Sequence, residues 1–180
     1  MNIFVLDNCP IKSAQYAVNK HVIKMILESA QLLCTVHHVC QNDTISYPAK
    51  FYKPTHRNHP CSIWARESIA NYKWLCDHAI ALCDEYEYRY GKKHASLPVI
   101  EWCKENIPNI PDKELTPFKM AMPDEYKTDN AIYSYRMYYF YDKRKKFDCA
   151  WKLRDKPDWW LRFEALEELA GQAQELNMGY

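Results

Sequence analysis

The chain has 180 residues, a formal net charge of +1, 48% hydrophobic and 26% charged residues, a balance that lets one domain bury its own core without disulfide staples and excludes a disordered chain. No apolar run is long enough to span a bilayer. Three glycines, all beyond Tyr90, exclude a glycine-rich phosphate loop, and without a polybasic excess any nucleic-acid contact has to come from a local patch.

The opening Met1-Asn2-Ile3-Phe4-Val5-Leu6-Asp7 is apolar, but it is too short and lacks the basic flank of a secretory leader. With eight cysteines scattered along the chain, a reducing cytoplasm is the expected compartment, most thiols serving as small buried hydrophobes. Asp7-Asn8-Cys9-Pro10 reads as a turn. From about Ser13, a candidate cap, to His38 the pattern is helical. On that helix Lys20, His21, Lys24, Glu28 and Gln31 share one stripe, while Val18, Val22, Ile23, Ile26, Leu27, Ala30 and Leu33 cover most of the rest. The helix is therefore expected to be buried, its polar stripe facing either solvent or a cleft. An imidazole, two amines and a carboxylate within two turns suit proton transfer or imine chemistry. The plainer alternative is a surface Lys24–Glu28 pair with His21 at the boundary.

Cys34, His37, His38 and Cys40 have a spacing that could bind zinc, but they lack the paired knuckles of structural zinc sites. Neither a metal nor a cofactor is expected. Gln41 to Asn58 reads as a loop, and Pro60, capped by Asn58 or His59, opens a second helix. At this helix start His56, Arg57, Asn58 and His59 could hold a phosphate through free N–H groups and the macrodipole, or act simply as caps. Trp64, Ser68, Tyr72, Leu75, Ala79, Leu82, Cys83 and Tyr86 form the apolar face, opposite Arg66, Glu67, Asn71 and Lys73, to about Tyr90, where Gly91 stops the helix.

A shorter helix is expected over 97–105 and a semi-extended connection over 115–123. Pro123, Asp124 and Glu125 open a third long helix, running through Tyr126, Tyr133, Met137 and Phe140 to Lys146. Its end, Asp142-Lys143-Arg144-Lys145-Lys146, continues a positive segment with Arg136, Lys152, Arg154 and Lys156, interleaved with Tyr138, Tyr139, Tyr141, Trp151, Trp159 and Trp160. Cations with aromatic faces suit a nucleic-acid backbone and an unstacked base, which makes Arg144 and Lys145 phosphate-binding candidates; cations also favour a helix C-terminus whatever their function. From about Trp159 to Glu175 an acidic amphipathic helix sets Leu161, Leu166, Leu169 and Ala170 opposite Glu164, Glu167 and Glu168. The class expected is mainly α: a single helical domain with three long helices and a C-terminal amphipathic helix, 1–150 as core and 151–180 as an aromatic, acidic extension.

Nothing matches a Gly-x-Ser-x-Gly elbow, a Walker loop or a His-Glu-x-x-His helix, which removes the common hydrolase and NTPase classes. The chain looks like a phage-encoded protein. A histidine, His21, seven residues ahead of a glutamate, Glu28, on a helix soon after the N-terminus resembles the pyrimidine-dimer DNA glycosylase (endonuclease V-type) family, as does Asn58-His59 at the head of a later helix. The resemblance implies a small, mainly helical, cofactor-free enzyme in which that glutamate is catalytic and an α-amino group attacks the sugar C1′ to form an imine. It covers about the first half of the chain. One departure bears on the nucleophile: the family exposes a small residue once the initiator methionine is removed, whereas bulky Asn2 is expected to keep Met1 in place. The amine is then that of Met1, Lys20 or Lys24, and a lysine needs partial burial beside another cation to be reactive.

The expected function is base processing in DNA, foremost N-glycosidic cleavage with or without strand nicking. Glu28, His21 and Lys24 are the catalytic candidates; Lys20, Gln31, His56, Arg57, Asn58, His59, Arg144 and Lys145 are the substrate-binding ones. DNA or a nucleotide is the partner, and no membrane is involved. Two alternatives stay open: base hypermodification or nucleotide processing in the same pocket, and a non-enzymatic protein that binds a host factor through the acidic tail helix.

Overall fold

The apolar residues at the start of the chain form neither helix nor strand; Ile3, Phe4, Val5 and Leu6 run as an irregular segment and all four are buried. A computed structural model describes residues 1–40 and 46–178 of the protein, so Gln41 to Ile45 of the expected loop lie outside the described residues. The helices are α1 (Pro10–Gln15), α2 (Asn19–Cys40), α3 (Pro60–Glu67), α4 (Ile69–Tyr90), α5 (Leu97–Glu105), α6 (Ala131–Tyr138), α7 (Arg144–Lys146) and α8 (Asp158–Met178). A π-helical turn, Tyr139–Lys143, joins α6 to α7. Among the described residues there is no strand and no helix long and apolar enough to cross a membrane. The fold is thus all-helical, as expected, with α4 packed against α1, α2, α3 and α5.

The first expected helix is broken at Tyr16-Ala17-Val18. The reason is far away in sequence: buried Arg89 of α4 donates to the carbonyls of Ala17 (2.8 Å) and Gln15 (2.9 Å) and to Asn19 Oδ1 (3.1 Å). Trp151 Nε1 covers the Tyr16 carbonyl at 2.8 Å. Carbonyls released where a helix ends need partners, and here a cation and an indole supply them. Glu85 balances the buried guanidinium at 2.9 Å. Ser13, expected as a cap, lies inside α1, where its hydroxyl accepts the Leu6 N–H.

The second expected helix breaks at Ser68, whose backbone is extended and whose hydroxyl accepts the Asn71 N–H at 3.0 Å, capping α4. Asn71, expected on the polar face, is fully buried: it donates to the Trp64 carbonyl and to Thr116 Oγ1, and accepts from Thr116 N–H. Gly91 ends α4 in the left-handed region at φ 67°, which glycine adopts without steric cost.

In the third expected helix only a single 3-10 turn forms over Asp124–Tyr126. Lys127 to Asn130 then leave the helix, with Ser134 Oγ accepting the Thr128 N–H and Asn130 capping α6 through the Tyr133 N–H. The segment after α7 returns to the body: Trp151, Trp159, Trp160 and Phe163 are buried, Trp160 and Phe163 lying against Phe140. Beyond Glu164 the described side chains of α8 are exposed, and its apolar residues Leu161, Leu166 and Leu169 are uncovered.

Candidate active site

The N-terminal segment lies alongside α2 because Asn2 is tied on several sides. Its side chain donates to the Ala121 carbonyl at 2.7 Å and accepts from the Tyr135 hydroxyl at 2.8 Å, while its backbone N–H donates to Glu28 Oε2 at 3.1 Å. The α-amino group of Met1 stands 3.8 Å from that same oxygen, and Lys24 Nζ is 3.2 Å from Glu28 Oε1. The Glu28 side chain is 12% exposed, so one partly buried carboxylate meets two amines and an amide.

These groups open onto a cavity of about 270 Å³ lined by Met1, Asn2, Phe4, His21, Lys24, Met25, Glu28, Ala121, Tyr138, Lys143 and Phe147. Of the α2 stripe, His21, Lys24 and Glu28 therefore line a cleft, whereas Lys20 and Gln31 do not. The helix is less buried than its pattern predicts, since Ile23 is 46% and Leu27 40% exposed. Lys24 is 63% exposed, which removes the partial burial that a reactive lysine was expected to need.

His21 is buried between the cavity and the core, its Nδ1 hydrogen-bonded to the Tyr139 hydroxyl. Its pKa is lowered to about 3, first by loss of solvent and then by the positive charges of Lys143, Lys24 and Lys20. The imidazole is therefore neutral at physiological pH. It can donate a single N–H but cannot act as a cation toward phosphate.

Of the other sequence candidates, Lys20 stands 4.9 Å over the ring of Phe147, on the rim. Gln31 is half-buried one turn beyond Glu28, its carbonyl accepting the Thr35 hydroxyl. His59 caps α3, accepting the Cys61 N–H at Nδ1. Its pKa is lowered chiefly by burial, with the α-amino group and His56 adding to the effect and Glu28 opposing it, so it lies within electrostatic reach of the site. His56, Arg57 and Asn58 are exposed and do not line the cavity. His56 bonds the Thr55 hydroxyl, and the Arg57 carbonyl accepts from Arg66. Arg144 pairs with Glu167 and lies 4.0 Å over Phe140, while Lys145 is exposed; neither lines the cavity.

The structure adds residues that the pattern does not single out. Lys143 donates to the Tyr138 hydroxyl at 2.8 Å, pairs with Asp142 at 3.2 Å and reaches the cavity, as do Tyr138, Phe147, Phe4 and Ala121. Only the run of cations around Lys143 hinted at it, and the π turn selects which of them points inward. Phe4 has φ 51°, a conformation that costs a bulky residue energy and persists where the surroundings enforce it.

Cys34, His37, His38 and Cys40 diverge: Cys34 meets Cys103, His37 Nε2 meets the Tyr72 hydroxyl at 2.8 Å, and His38 Nε2 meets the Tyr52 carbonyl at 3.1 Å. Among the described residues no cluster of histidine, cysteine or carboxylate side chains is arranged to hold a metal ion.

The family described as pyrimidine dimer DNA glycosylase matches residues 1–98. No curated protein and no solved structure matches the chain.

Proposed function

Because the chain belongs to the pyrimidine dimer DNA glycosylase family, we propose that the cavity beside α2 cleaves the N-glycosidic bond of a base in DNA, with an α-amino group as nucleophile and Glu28 as its carboxylate partner. The observation that carries this reading is the double approach to Glu28 Oε2, from the Met1 nitrogen at 3.8 Å and the Asn2 nitrogen at 3.1 Å. An α-amine borne by either residue has the carboxylate within reach.

In this reading Glu28 takes a proton from the ammonium, freeing its lone pair to attack C1′. The C1′–N bond of the nucleotide breaks, its electron pair departs with the base, and the base takes up a proton. The carboxylate also stabilises the positive charge that develops on the sugar. The glycosylamine left at C1′ opens to an imine as the C1′–O4′ bond breaks and the ring oxygen takes a proton; elimination of the 3′ phosphate from the imine would nick the strand. The base must leave the helical stack for C1′ to be reached.

His21, neutral and accepting the Tyr139 proton at Nδ1, offers an Nε2–H to a sugar or phosphate oxygen. Lys24 and Lys20 supply cations at the rim, and Lys24 is the competing nucleophile at 3.2 Å from Glu28. Gln31, His56, Arg57, Asn58 and His59 are assigned in this reading to the flanking backbone, and Arg144 and Lys145, which do not line the cavity, to phosphates beyond it.

The test is a duplex oligonucleotide carrying one thymine dimer, incubated in chelator with the protein and with Glu28→Gln. Glycosidic cleavage by the parent protein that falls on the order of 10²- to 10⁴-fold in the variant supports the reading. Turnover that requires an activated nucleotide or amino acid would instead assign the pocket to base modification.

A further inference from the structure

We propose that Phe4 and Tyr138 form a clamp for one extruded base, with the Lys143 ammonium tethered at its edge by the Tyr138 hydroxyl. The clamp rests on the glycosylase reading for its substrate and says how that site grips it.

The two rings lie within 14° of parallel with centroids 6.1 Å apart, and both line the cavity. That separation is the one adopted by offset-stacked aromatic pairs, so a base that enters between the two rings takes the place each ring offers the other. Lys143 Nζ lies 4.1 Å from the Tyr138 centroid and 5.8 Å from that of Phe4. The same ammonium donates to the Tyr138 hydroxyl at 2.8 Å and pairs with Asp142 at 3.2 Å, which tethers it at the hydroxyl edge of the ring. From that edge the ammonium is available to a base carbonyl or a neighbouring phosphate.

Two backbone irregularities converge on this pair. Phe4 is held at φ 51°, where a bulky residue persists only under constraint. Its ring is braced by His21 at 4.3 Å. On the facing wall, the π-helical turn Tyr139–Lys143 begins immediately after Tyr138 and carries Lys143; such turns recur at functional sites. Both irregularities bear on the same gap, one from each side. Tyr138 and Lys143 lie outside the segment that matches the family, 1–98, so the clamp joins Phe4 of the matched segment to a wall particular to the rest of this chain.

The experiment uses a single-stranded oligonucleotide with one pyrrolocytosine between two tetrahydrofuran spacers, whose unstacked fluorescent base is quenched when it stacks on an aromatic ring. The parent protein is expected to bind and quench it. Tyr138→Leu should lose the quench and bind about tenfold or more weakly, while Tyr138→Phe, which keeps the ring, should retain both. Near-ultraviolet circular dichroism establishes that each variant is folded, and Lys143→Met gives a second arm, keeping the quench while weakening binding. Binding without quench, a quench unchanged in Tyr138→Leu, or a quench lost equally in Tyr138→Phe would overturn the clamp. The readout needs no chemistry: the expected quench pattern without glycosidic cleavage would leave the clamp standing and remove the glycosylase reading, and cleavage without the quench pattern would do the reverse.

Discussion

The hydroxyl of Tyr139 is hydrogen-bonded to Nδ1 of His21, joining the π-helical turn to α2 across 118 positions of sequence. Both groups are buried. The tyrosine's pKa is raised well above its ordinary value by burial, so the phenol keeps its proton. Tyr139→Phe would leave an imidazole nitrogen buried without its partner, which costs about 1–3 kcal/mol. Urea unfolding should show that loss, and pocket activity should fall with it. An unchanged midpoint would mean that the hydrogen bond does not hold the turn.

His21 and His78 make stability depend on pH in a defined direction. Their folded-state pKa values are lowered to about 3 and about 4, from an ordinary 6.5, mainly by burial. Below 6.5 the unfolded chain takes up protons on both rings and the folded chain does not. Their contribution is thus complete above 6.5 and is lost as the pH falls toward the folded values, at about 1.4 kcal/mol per pH unit for each ring once it is protonated in the unfolded state. Between pH 6.5 and 5, above the carboxylate range, the urea midpoint should fall. A flat profile there would contradict the burial of neutral rings.

Arg89→Met should be among the most damaging single changes. It leaves Glu85 with only the partly exposed Arg154 as partner and releases the carbonyls of Gln15 and Ala17 at the α1–α2 junction. Breaking a buried pair from one side costs about 3–5 kcal/mol. Denaturation of the variant reads that cost directly; a change under about 1 kcal/mol would show that the junction is held by other interactions.

Ending the chain after Glu164 should leave the body intact. The described side chains beyond it are exposed, and truncation removes chiefly the surface ion pair of Glu167 with Arg144, worth about 0–1 kcal/mol. The melting temperature should move by no more than roughly 2–4 °C. A drop well beyond that would show that the outer half of α8 belongs to the folding unit.

The helices were legible where periodicity and local signals agree: His59-Pro60 at the start of α3, Gly91 at the end of α4, and the His21–Glu28 stripe on α2. Interruptions within them were not, because their causes are non-local. Nothing near Tyr16 announces that Arg89 and Trp151 will donate to the free carbonyls around it, and Ser68 looks like any small residue on a helix face until its hydroxyl takes the Asn71 N–H and Asn71 in turn binds Thr116. The cavity shows the same division. Its α2 wall follows from spacing, whereas Lys143 and Phe147 reach it beyond a π turn, and Tyr138 from the last position of α6, none of which the periodicity announces. Arg144, prominent in the same charge run, pairs with Glu167, and Lys145 is exposed; neither lines the cavity.

The central claim is that an α-amino group beside Glu28 attacks C1′. Its most direct test is borohydride reduction of the protein on an oligonucleotide with one abasic site, followed by tandem mass spectrometry of the cross-linked peptide. The account predicts a single sugar adduct on the α-nitrogen of the N-terminal peptide, abolished when that nitrogen is blocked by reductive methylation at low pH. An adduct on Lys24 or Lys20, or no adduct at all, would contradict it.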